Sequence, residues 1–146
     1  MPINKRHTAL SLLFVAGLTA ACNPAADGID PQGKTFDDVA ADEVVTLSGT
    51  EPFWNLVIED AQGVWTTPET PSATPFAVTR FAGNNGLGFS GALEGQDFTA
   101  TLTPGECSDG MSDRRFPYVA TIALGDKTLE GCGYTSRQPF TGPDAP

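Results

Sequence analysis

Among 146 residues there is one histidine, and there are three cysteines, two methionines and two tyrosines. Positive charge is scarce too: eight Lys and Arg stand against eighteen Asp and Glu, a formal net charge of −10. That shortage excludes a nucleic-acid binder, because phosphate recognition needs clustered Lys and Arg. The uncharged apolar run Ala9–Ala21 has thirteen residues, too few for a membrane-spanning helix, which takes ~20. No amphipathic stripe exceeds two helical turns and no repeat recurs at a fixed period, which removes helix bundles, propellers and solenoids. What the chain has in excess is turn chemistry. Gly 16 and Pro 12 make roughly a fifth of it, against roughly 12% in an average protein. The length suits one domain.

Lys5, Arg6 and His7 precede the short apolar run, the order expected of a secretory leader spanning 1–21. Leu18-Thr19-Ala20-Ala21-Cys22 resembles the lipobox of bacterial lipoproteins, in which the cysteine is diacylated and becomes the new N-terminus. The resemblance implies a lipid anchor at Cys22, and Asn23 in place of Asp implies the outer membrane over the inner one. Cysteine parity agrees. Using Cys22 for lipid leaves Cys107 and Cys132 as an even pair for an oxidising compartment. Their bridge closes a loop worth roughly 3 kcal/mol in the chain-entropy model. Losing the leader also removes Lys5 and Arg6, so six basic residues face eighteen acidic ones, a net charge of −12. His7 leaves with them, and with it the usual general base and transition-metal ligand. With the thiols committed, no free thiolate is left for attack or zinc binding.

Residues 22–42 are polar, acidic and interrupted by Pro24 and Pro31, the composition of a solvated tether. Thr35–Ala41 reads as one helical turn within it, capped by Thr35. From 43 to 138 the pattern has period two. Strands are expected at Glu43–Gly49, Phe53–Glu59, Val64–Thr67, Pro75–Phe81, Leu87–Leu93, Phe98–Thr103, Tyr118–Leu124 and Lys127–Gly131, bounded by Gly, Pro, Asn or Asp. The reading is an all-β antiparallel meander of seven or eight short strands, closed as a barrel or folded as a sandwich. The Pro-rich tail 139–146 is expected to be frayed.

Three segments share a likeness: Gly49-Thr50-Glu51-Pro52-Phe53-Trp54, Arg80–Gly91, and Cys107-Ser108-Asp109-Gly110-Met111-Ser112-Asp113-Arg114 running to Pro117-Tyr118. With Gly131-Cys132 they resemble a group of uncharacterised bacterial envelope lipoproteins, some found beside META or lysozyme-inhibitor-type domains. The likeness covers about Val45 to Tyr134 and departs at Phe116, where Tyr is commoner. It implies an envelope location and transfers no catalytic residue.

The densest polar segment runs from Cys107 to Arg115. Asp109, Asp113 and Glu106 supply oxygen ligands of the kind calcium takes. Alternatively the segment is a disulfide-anchored turn, bent at Asp109-Gly110, capped by Asp113, with Arg114 paired to a carboxylate. The spacing is not that of an EF-hand, and no metal ligand set is assigned. Trp54 and Trp65 line a barrel mouth or fill the core. Glu51 faces Arg80 or Arg114 as an ion pair, or Asp113 as a glycosidase-like carboxylate pair. Asn84-Asn85-Gly86-Leu87-Gly88 lacks the Lys and the helix of a phosphate loop and reads as a turn.

The expectation is a non-enzymatic lipoprotein without a cofactor, monomeric, attached to the bilayer through Cys22 and facing the periplasm. Its binding surface for an envelope protein or small ligand would use Glu51, Trp54, Asp109, Met111, Asp113 and Arg114. The alternative is an inhibitor of a cationic envelope-attacking enzyme such as lysozyme, steered by the negative charge.

Overall fold

The computed structural model describes residues 35–143. The leader, the lipid cysteine and the tether to position 34 lie outside the described residues, as do positions 144–146. Alternating apolar residues can bury one face of a strand and wet the other. Here they form β1 (Val45–Thr50), β2 (Phe53–Glu59), β3 (Gln62–Thr66), β4 (Thr74–Ala82), β5 (Leu87–Leu93), β6 (Gln96–Cys107), β7 (Phe116–Leu124) and β8 (Lys127–Thr135). Each pairs antiparallel with its chain neighbours, and β8 returns to β1 with Val45 opposite Thr135. The sheet is therefore a closed barrel, which leaves no free edge. A tight hairpin such as β5–β6 follows from its turn residues: Glu94 and Gly95 both have positive φ (52° and 79°), the type I′ pattern.

The interior is filled. Leu47, Leu56, Ala100, Leu102, Ala120 and Ile122 are completely buried, small residues lying among large ones as a narrow barrel requires. Four aromatics close the end that carries the β1–β2, β3–β4 and β5–β6 connections. Trp54 stacks on Trp65 at 5.5 Å, Trp65 meets Phe98 edge-on at 6.4 Å, and Phe98 meets Phe76 edge-on at 4.9 Å. Trp54 fits because Gly49 and Gly131 offer no side chain: a Cβ on either would run into its indole. The two tryptophans are thus core.

The opposite end is closed by residues 35–43, and here the expected boundary at 43 moves. The helical turn expected at Thr35–Ala41 does not form; the chain makes a single hydrogen-bonded turn later, from Ala40 to Glu43. Phe36 and Val39 enter the core, each worth about 1.5–3 kcal/mol when fully buried. Phe36 N donates to Gly83 O (2.8 Å) and Arg80 Nη2 to Val39 O (2.6 Å). Glu43, expected to begin the first strand, is instead a buried latch. Its Oε1 accepts from Ala40 N at 2.8 Å and its Oε2 from Thr135 Oγ1. The tail is tied down as well. Thr141 bridges Arg115, and Phe140 packs with Phe116 (5.5 Å) and Tyr134 (5.3 Å).

Two strands, β6 and β8, run four residues past their expected ends. β6 continues past Pro104-Gly105 through a bulge between Pro104 and Cys107, where a proline without an N–H is tolerated. β8 continues through Gly131 and Gly133, which make room for Trp54, Leu47 and Leu102 and do not break the strand.

Candidate functional site

Alternation along β1 turns Ser48 and Thr50 outward, as it does Val119 and Thr121 on β7 and Glu130 and Cys132 on β8. The bulge in β6 bends the chain over this wall instead of into the next turn. A disulfide joins Cys107 to Cys132 with 5.6 Å between Cα atoms, pinning the loop to a strand two places away. Thr50 Oγ1 then donates to Asp109 O at 3.1 Å and fixes its tip to β1. Residues 107–111 thus form a flap on the outside of the barrel.

Asp109 ties the flap together. Its Oδ1 accepts from Met111 N (3.0 Å) and Ser112 N (2.8 Å), and its Oδ2 accepts from Ser112 Oγ (2.7 Å). The Ser112 N–H, more than any other group, holds the Asp109 carboxyl below its ordinary range, aided by the Met111 N–H, the Ser112 hydroxyl and Arg114. Gly110 supplies the positive φ (72°) of the bend. The cap is therefore Asp109 and not Asp113. With both carboxylate oxygens occupied by donors, Asp109 is a poor cation ligand, and no cluster of three or more His, Cys, Asp or Glu that could hold a metal occurs among the described residues.

Two hollows flank the Thr50–Asp109 contact. The larger, about 590 Å³, lies between the flap and β1, β7 and β8, and Glu51, Met111, Val119 and Glu130 border it. The smaller, about 400 Å³, lies toward β2 and β3 and is walled by Phe53, Asn55, Pro68 and Pro71. Ser48, Gly49, Thr50 and Asp109 belong to both. Neither has Lys, Arg or His among its lining residues. Four large hydrophobics are exposed among the described residues. Three of them, Phe53 (51%), Met111 (66%) and Val119 (40%), border this pair of hollows. The fourth, Phe81, lies over Gly88 on the neighbouring strand and covers its bare backbone.

Of the six residues singled out from the sequence, the fold brings Glu51, Asp109 and Met111 together at the larger hollow. Trp54 is buried to 3% exposure and reaches only the rim of the smaller one. Asp113 borders neither hollow, so it does not face Glu51 as a carboxylate pair. Arg114 turns to the tail, with Nε donating to Pro143 O (2.9 Å) and the guanidinium over the Phe140 ring at 4.6 Å. Arg80 caps Val39 instead of meeting Glu51. Sequence reasoning missed Phe53, Val119 and Glu130. Their signal was strand parity: each occupies an outward position on its strand.

Two buried polar atoms have no hydrogen-bond partner among the described residues, Trp54 Nε1 and Asn55 Oδ1. Both residues border the smaller hollow. Leaving such a group unsatisfied costs about 1–3 kcal/mol. No family model, curated protein or solved structure matches this chain.

Proposed function

We propose that this protein is a bacterial envelope lipoprotein, acylated at Cys22 and facing the periplasm, that works by binding through its outer wall. The observation that carries the reading is the contrast between a barrel packed solid at both ends and an outer wall with two hollows beneath a pinned flap. The lipobox, the leader and a disulfide of the sort stable outside the cytoplasm support the location. A mature chain without histidine, its remaining thiols joined, supports binding over catalysis.

Mass spectrometry of the membrane fraction tests the anchor: a chain beginning at a fatty-acylated Cys22 is expected. Recovery of a soluble cytosolic chain that retains Met1 would overturn it.

A second reading, inhibition of a cationic envelope-attacking enzyme, is favoured by the carboxylates of Glu51 and Glu130 at the larger hollow. It predicts slower cell-wall hydrolysis when the mature chain is added to lysozyme at low salt. Undiminished hydrolysis disposes of it.

A further inference from the structure

The lining of the outer wall indicates what chemistry it would recognise. The larger hollow has three acidic residues on its border and the smaller an apolar wall, with no basic residue in either. Six basic residues against eighteen acidic ones in the mature chain disfavour a second copy, which would bring the same sign of charge. An anionic lipid surface is repelled for the same reason. The two volumes fall in the range of side-chain and small-ligand sites, but the Thr50–Asp109 contact stands between them. An occupant filling both must be elongated and cross that contact.

We infer that the two hollows form one docking groove for an extended protein segment that is both basic and apolar. Its Lys or Arg side chains lie with Glu51 and Glu130 in the larger hollow. Its apolar side chains lie against Phe53, Pro68 and Pro71 in the smaller one. Charge pairing at a partly open rim governs encounter and register, and the apolar anchor supplies the buried centre on which affinity depends. The inference rests on the outer wall being the binding surface.

The test uses the chain from position 22 with Cys22→Ser, and three short labelled peptides: one alternating Arg with Leu, one Arg with Ser, one Glu with Leu. Preferential binding of the Arg–Leu peptide is expected, with affinity falling as salt rises. Glu51→Gln combined with Glu130→Gln should weaken that binding roughly tenfold or more, and Phe53→Ser by a comparable factor, with denaturation midpoints unchanged. Backbone amide shifts should concentrate on residues 48–55 and 107–111. Equal binding of the Arg–Ser or Glu–Leu peptide overturns the inference, as does full affinity in either variant. Shifts on another part of the outer wall sink this groove alone. Shifts confined to the opposite barrel end, around Phe36 and Val39, sink the outer-wall reading itself.

Discussion

The inside and the outside of the same wall obey different rules in this protein. Inward positions of β1, β2, β6 and β7 hold fully buried apolar side chains such as Leu47, Leu56, Leu102 and Ile122, packed without regard to any ligand. Outward positions near the flap leave Phe53, Met111 and Val119 exposed and gather carboxylates from three separate parts of the chain. On the strands a single register assigns both, because neighbouring residues point to opposite faces, while Glu51, Asp109 and Met111 are placed by the loops. The lesson is that a small barrel with no lumen to offer can still build a recess, by folding a loop back over its own exterior.

The contrast is broken most severely from within. Phe89→Ala, at a fully buried position, should cost about 3–5 kcal/mol, read as a lower urea midpoint with the m-value retained. Next comes the staple that holds the flap. Cys107→Ala with Cys132→Ala should cost roughly 3 kcal/mol by chain entropy and also release residues 108–111 from β8. The larger hollow would be lost with them, visible as faster amide exchange in the flap. Removing the hydroxyl that serves Glu43 is a smaller injury. Thr135→Val deprives the buried carboxylate of one donor and should cost about 1–3 kcal/mol, opening the end closed by Phe36 and Val39. The smallest effect belongs to the exposed residues: Phe53→Ser and Met111→Ser should each shift stability by about 0.5 kcal/mol or less. A large loss from either would mean that the outer hollows are structural packing.

Titration separates the two regions again. Burial, more than any other influence, pushes the Tyr118 phenol above its ordinary value; Asp38 and Glu43 push the same way and the Gln138 hydrogen bond opposes them. A raised tyrosine favours its neutral form in the fold, so this contribution is intact below the unfolded value near pH 10 and is lost as pH rises beyond it. The Asp109 shift runs the other way: its contribution is present above the unfolded value of about 3.8 and is lost as pH falls below that. Phenol absorbance at alkaline pH and flap amide exchange in acid should therefore respond at opposite ends of the scale.

Most of the barrel was legible in the sequence, because alternation and turn residues are local signals. β2 and β5 occur at their expected bounds. Closure over a sandwich was not legible, since it depends on β1 meeting β8 across the whole domain. The acidic look of 22–42 hid Phe36 and Val39, two apolar residues whose burial depends on Gly83 and Arg80 far along the chain. The site was half legible. Asp109-Gly110 announces a bend, but nothing local states that the bend folds back across β7 and β8 to Thr50. That direction comes from the bulge after Pro104 and from the disulfide partner. Trp54 looked like a ligand contact because large aromatics serve both purposes; Gly49 and Gly131 decided the matter by vacating the space it fills.

Every ladder but one joins strands adjacent in the chain. The exception, β1 with β8, cannot form until the last strand has emerged during synthesis. Until then two rows of backbone amides and carbonyls stand open to any other chain with a free border. A product cut short before Lys127 keeps nearly all the hairpins yet remains a sheet with adhesive margins, so the hazard of aggregation ends only once β8 is in place.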